Sequence, residues 1–118
     1  MAERPVVRTG PDENGIITFT WEQISNTDQT GAAIKLPSHP DKTVHFFGTF
    51  NGTIALQGSN QATPTVWTTV NDNVGDPLAV TGAAIAAVGE NPLWLRPAQT
   101  IATLSDVDVI LVCAPRNR

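Results

Sequence analysis

The chain is short of charge: Lys, Arg, Asp and Glu make up 15% of its 118 residues, against roughly 25% in average proteins. Seven of those charges are basic and eleven acidic, leaving a formal net charge of -4 at pH 7. That balance excludes the dominant basic surface needed to neutralise phosphates, so nucleic acid is not an expected partner. Tyrosine is absent and Cys113 is the single cysteine, so no internal disulfide can staple the fold. Inside the run Val109-Ile110-Leu111-Val112-Cys113 the thiol reads as a small buried apolar group. No apolar stretch approaches the roughly 20 residues that span a bilayer, and no hydrophobic signal core follows Met1. Neither a membrane partner nor a secretory route is expected, and synthesis is expected in a cytoplasm.

What the chain does have is 41% hydrophobic residues, enough to fill one core at this length. Thr, Val and Ile are plentiful, which suits pleated strands better than helices. Residues 1–15 carry Pro5, Pro11, Gly10 and Gly15 among charges such as Arg4, Arg8, Asp12 and Glu13, with no apolar period. They read as an extended N-terminal arm, and residues 16–118 as one domain. Ile17, Phe19 and Trp21 alternate with Thr18, Thr20 and Glu22, the period of a strand with one buried face. Residues 25–40 read as a loop with one brief strand at Ile34 and Leu36. In 43–57, Val44, Phe46 and Phe50 precede Asn51-Gly52, and Ile54 and Leu56 follow. Asn-Gly between two alternating runs predicts a type I′ hairpin.

Val66, Thr68 and Val70 predict a further strand, and residues 78–80 a short one. Residues 82–89 fit either a helical turn or a strand, since Ile85 and Val88 stand three apart among alanines. Pro92 and Pro97 place residues 93–96 at a sheet edge, because neither can donate a ladder hydrogen bond. Residues 100–104 predict another strand. In the final one, residues 107–113, both faces turn apolar after the first residues, which predicts cover on two sides. Several short strands with turn residues between them and no long helix describe an all-β domain: a sandwich, a jelly roll or a small barrel, of which a jelly-roll-like β-sandwich fits best.

Chemistry is mostly missing. His39 and His45 flank Asp41, but no Cys or further carboxylate completes a ligand spacing, so no metal is expected. Asn71, Asp72, Asn73 and Asp76 do not match a calcium loop, and turn chemistry accounts for them. Asp106 and Asp108 share a strand face, as an acid/base pair would, but a solvated face explains them more simply. Asn51-Gly52-Thr53 matches a glycosylation sequon without a secretory route to use it. Ser59 lacks a Gly-x-Ser-x-Gly setting and no phosphate-binding loop is present. No enzyme and no cofactor is expected.

Three tryptophans are more informative. Trp21 shares the face of Phe19 and belongs to the core, whereas Trp67 opposes Val66 and Val70, and Trp94 opposes Leu93 and Leu95. Either loops cover these two rings or they are exposed interface anchors.

At Gly48-Thr49-Phe50, Leu56-Gln57-Gly58-Ser59-Asn60, Trp67, Glu90-Asn91-Pro92 and Leu95-Arg96-Pro97, the chain resembles small head-decoration, or cement, proteins of tailed bacteriophages. In that pattern an acidic residue and a glycine follow Gly-Ser-Asn; here Gln61 and Ala62 stand instead. The likeness covers residues 16–114. It implies a non-enzymatic virion protein, made in the host cytoplasm, that binds the major capsid protein on the assembled shell as a homo-oligomer. The contacts expected on that reading are Arg4 and Arg8 from the arm, with Trp67, Trp94 and Arg96 at the centre. The alternative is a carbohydrate-binding or tail-associated module that uses an exposed tryptophan as a sugar platform.

Overall fold

The computed structural model describes residues 3–25, 29–102 and 106–115, with the backbone alone for residues 100–102. Among the described residues twelve strands run in chain order: β1 (Glu3–Arg4), β2 (Val6–Thr9), β3 (Ile17–Ser25), β4 (Thr30–Gly31), β5 (Ile34–Lys35), β6 (Asp41–Thr49), β7 (Gly52–Ser59), β8 (Thr68–Thr69), β9 (Ala79–Val80), β10 (Ala84–Ala87), β11 (Trp94–Ala102) and β12 (Asp106–Ala114). A seven-stranded sheet follows the order β1-β4-β11-β7-β8, with β5 on β11 and β9 on β7; a five-stranded sheet follows β10-β6-β12-β3-β2. The two pack as a β-sandwich. The expected alternation sets its filling: Ile17, Phe19, Trp21, Val44, Phe46, Val109 and Leu111 from the five-stranded sheet join Ile54, Leu56 and Leu95 from the other in one buried cluster. Fully burying each such large side chain contributes about 1.5–3 kcal/mol.

Strand β3 departs from strict alternation. Its register against β12 shifts between Val107 and Val109, so Glu22 and Gln23 together oppose Asp108. Gln23 takes a φ of 60°, and its N–H donates to Asp108 Oδ1 at 3.0 Å. This bulge turns Ile24, rather than Gln23, into the core.

The hairpin expected at Asn51-Gly52 does not form. β6 pairs with β10 and β12, whereas β7 pairs with β11, β8 and β9, so the dipeptide carries the chain from one sheet to the other. The left-handed glycine lies just upstream: Gly48 has φ 127°, and a Cβ there would collide with the carbonyl of Asp106.

Residues 93–96 do not form an edge either. Residues 94–96 open β11, which lies between β7 on one side and β4 and β5 on the other. Pro97 fits there because of its register. It opposes Leu56, whose N–H and C=O are spent on Leu78 and Val70 on the far side of β7. The nitrogen of Pro97 therefore points to the opposite flank, where the neighbouring chain is broken between Gly31 and Ile34. No ladder bond is lost.

Residues 84–87 resolve as strand. Of residues 1–15, read as an arm, residues 3–4 and 6–9 lie in strands: β1 runs parallel to β4, and β2 closes the five-stranded sheet against β3. Of the strand expected at 100–104, residues 103 and 104 lie outside the described residues.

Candidate protein-binding surface

Cross-strand register determines which side chains share the outward face of the seven-stranded sheet. Trp94 pairs with Lys35 on one side and Ser59 on the other, while Arg96 pairs with Gln57, which in turn pairs with Thr69. Trp94 and Arg96 are two residues apart on β11 and project together. Trp67 arrives from the loop before β8. Gln61 shapes that loop, its Oε1 accepting the N–H groups of Thr65 at 2.7 Å and Val66 at 2.8 Å.

The result is a stack: the Arg96 guanidinium lies 4.3 Å from the centre of the Trp67 ring, and its Nε donates to Gln57 Oε1 at 3.0 Å. Burial lowers the Arg96 pKa, and the charge of Glu3 works against that. Nearby, the Lys35 ammonium sits 5.7 Å from the centre of the Trp94 ring. Trp67, Trp94 and Arg96 are all half-buried, so each keeps part of its surface exposed. The three expected central residues are thus neighbours on one face. Arg4 and Arg8 are not part of this group. Arg4 is held by its own fold, its Nε donating to the carbonyl of Glu22 at 2.9 Å and a terminal nitrogen to Gln23 Oε1 at 3.3 Å. Arg8 is exposed on β2, in the other sheet.

Beside this face an open cleft of about 680 Å³ is lined by Asn60, Gln61, Thr68, Glu90 and Asn91, among others. Its polar atoms are largely engaged within the protein. Asn60 Oδ1 accepts the Leu93 N–H at 2.9 Å, Glu90 Oε1 accepts the Asn71 N–H at 2.9 Å, and Asn91 Nδ2 donates to the Pro37 carbonyl at 2.8 Å.

The other residues weighed for chemistry are placed as follows. His39 contacts Ser38 Oγ at 3.0 Å and the Gly15 carbonyl at 3.1 Å. His45 lies outward on β6, its ring centre 4.8 Å from that of Phe47. Asp72 Oδ1 accepts the N–H groups of Val74 and Asp76 across its own turn. Among the described residues no group of three or more His, Cys, Asp and Glu is arranged to hold a metal ion.

One buried charge escaped the sequence reading. Lys42 is 2% exposed, and its ammonium donates to the carbonyls of Leu36 at 3.0 Å and His39 at 2.7 Å and to Asn91 Oδ1. Burial lowers its pKa, an effect that neighbouring Cys113 partly opposes. The alternation Lys42, Val44, Phe46 carried this signal, since it places the lysine on the inward face.

No protein-family model matches the chain, and no curated protein matches it in sequence. Among solved structures, protein NMB1881 from Neisseria meningitidis aligns with 92% of this chain and 83% of its own at 11% identity, with a TM-score of 0.41. So distant a likeness carries no argument about the surface described above.

Proposed function

We propose that this chain is a non-enzymatic virion protein of a tailed bacteriophage that binds the assembled shell and holds neighbouring copies of the major capsid protein together, using the outward face of the seven-stranded sheet. The observation that carries the proposal is the convergence of Trp67, Arg96 and Trp94. Aromatic and arginine side chains supply most of the energy in protein interfaces. A guanidinium already stacked on a ring and bonded to Gln57 gives up little further freedom on binding. The residues that carry the likeness to decoration proteins include Gln57, Trp67 and Arg96, and Arg96 touches both of the others here. Arg8 serves as an outlying charged contact, while Arg4 acts within the fold.

The carbohydrate reading draws on the open cleft and its amides. It ranks second because those amides already hold loops together.

Co-sedimentation of the purified protein with undecorated heads tests the proposal. The parent pellets with the heads, and Trp67→Ala and Arg96→Ala each weaken binding by about tenfold or more. Absence of binding to heads, or unchanged binding by both variants, contradicts it; binding on a glycan array instead supports the second reading.

A further inference from the structure

Most of the basic residues have no part in the Trp67 and Trp94 face. Lys42 is buried and bonded to carbonyls, Arg4 is bonded to Glu22 and Gln23, Arg8 stands on β2 in the other sheet, and Arg116 and Arg118 lie outside the described residues. The remaining two, Lys35 and Arg96, share the outward face of the seven-stranded sheet. Lys35 is directly opposite Trp94, and Arg96 follows Trp94 by two positions on β11. The two cations are therefore diagonal neighbours, with Cα atoms about 7–8 Å apart.

The fold neutralises neither of them. Lys35 lies against the Trp94 ring, and Arg96 against the Trp67 ring and Gln57; among the described residues no carboxylate stands within ion-pair distance of either. Carboxylates occur only at the margins. Glu3 is on β1, separated from β11 by β4, and its charge reaches Arg96 without pairing with it. Glu90 lines the neighbouring cleft, one oxygen accepting the Asn71 N–H. On a chain with a net charge of -4, this face has the opposite sign to the molecule as a whole.

We infer that the face recognises an acidic protein segment, one carboxylate meeting the outer edge of the Arg96 guanidinium and a second meeting the Lys35 ammonium. Arg96 Nε is committed to Gln57, which leaves the terminal nitrogens for the partner, and their planar fork suits a carboxylate. The tryptophan rings hold both cations in place, so little further freedom is lost when a carboxylate arrives. The diagonal spacing fits alternate residues of an extended segment, about 6.8 Å apart. Nucleic acid does not fit, because two cations neutralise too few phosphates on an acidic chain. Which protein presents the segment rests on the shell-binding proposal; its acidic chemistry rests on this face alone.

Two measurements separate the chemistry from its source. In an NMR titration of the isotope-labelled full chain, acetyl-Glu-Thr-Glu-Thr-Glu-amide saturably shifts the indole N–H signals of Trp67 and Trp94 and the Nε–H signal of Arg96, whereas the same peptide with Gln for Glu does not. In co-sedimentation with undecorated heads, Lys35→Glu binds about tenfold more weakly than the parent at about 50 mM salt, and the gap closes to about twofold or less at about 500 mM. Glu3→Gln, which removes the marginal negative charge, binds about twofold more tightly at the lower salt. Lys35 and Glu3 are exposed, and circular dichroism verifies that both variants fold. Equal responses to the two peptides, a response to neither, or Lys35→Glu binding heads as the parent does while Trp67→Ala does not, overturns the acidic partner and leaves the shell reading standing. A response to the acidic peptide alone, with no binding to heads, upholds the acidic chemistry and overturns the shell as its source.

Discussion

Gly31 sits where two large side chains meet: a Cβ there would collide with the Trp21 ring and the Pro97 ring. Trp21 cannot retreat easily, because it is fully buried and its Nε1 donates to the Ala32 carbonyl at 2.9 Å. Gly31→Ala is therefore expected to destabilise the fold by about 1–3 kcal/mol, the cost of overpacking, measurable by denaturant titration. Lys42 makes a second residue-scale prediction. Replacing it with Met removes the ammonium donor from the His39 carbonyl and Asn91 Oδ1 and leaves the Leu36 carbonyl with the His39 N–H alone, which lowers stability by about 2 kcal/mol or more. The pH dependence has a definite sign. Burial lowers the Lys42 pKa in the folded chain, so between that lowered value and the ordinary lysine range the unfolded chain binds more protons. Stability contributed through Lys42 rises with pH across that window. The gap between the parent and Lys42→Met should widen from neutral pH toward about 10. Tyrosine is absent from the chain and does not confuse the alkaline range. A gap that stays constant or narrows contradicts the account of Lys42.

The elements explain which parts of the fold were legible. Alternation in Ile17, Phe19 and Trp21, and in Val44 and Phe46, marked inward faces that the structure keeps, because a half-buried strand writes its environment into its own sequence. Partner choice is written nowhere so local. Asn51-Gly52 looks like a hairpin because turn residues report a change of direction, not which sheet receives the next strand. Pro97 looked like an edge residue because its tolerance depends on a break between Gly31 and Ile34, more than sixty residues away in sequence. Of the proposed site, the residue types Trp67, Trp94 and Arg96 could be picked from sequence, but their adjacency depends on the pairing of β7 with β11 and on the Gln61 turn. Two predictions belong at this scale. Gly48→Ala should cost about 1–2 kcal/mol, the penalty of left-handed backbone for a residue with a Cβ; Gly82→Ala, with open space around it, should be neutral or stabilise by up to about 1 kcal/mol. Equal midpoints for the two variants would place the strained turn elsewhere. Deleting residues 1–9 removes the parallel partner of β4 and the strand that covers the outer edge of β3, so it should lower the melting temperature of the isolated protein. An unchanged melting temperature would mean that this segment adds nothing to the sandwich.

At the scale of the whole molecule, the sandwich presents two unlike faces. The seven-stranded sheet displays Trp67, Arg96, Trp94 and Lys35, and the five-stranded sheet two uncharged rows that include Ile85, Ile110, Val7, Val112 and several threonines, with Asp41 toward one end and Glu22, Asp106 and Asp108 toward the other. A cement protein has to bind the assembled lattice better than loose subunits, since only then does binding stabilise the particle by mass action. Heads carrying the protein should accordingly resist heat or dilution better than bare heads, and Trp67→Ala with Arg96→Ala should remove that gain. The most direct single measurement is a density map of the decorated particle. It should show the seven-stranded sheet turned to the shell, with Trp67 and Arg96 buried at a junction between capsid subunits; a map with that face open to solvent, or without the protein at all, contradicts the account.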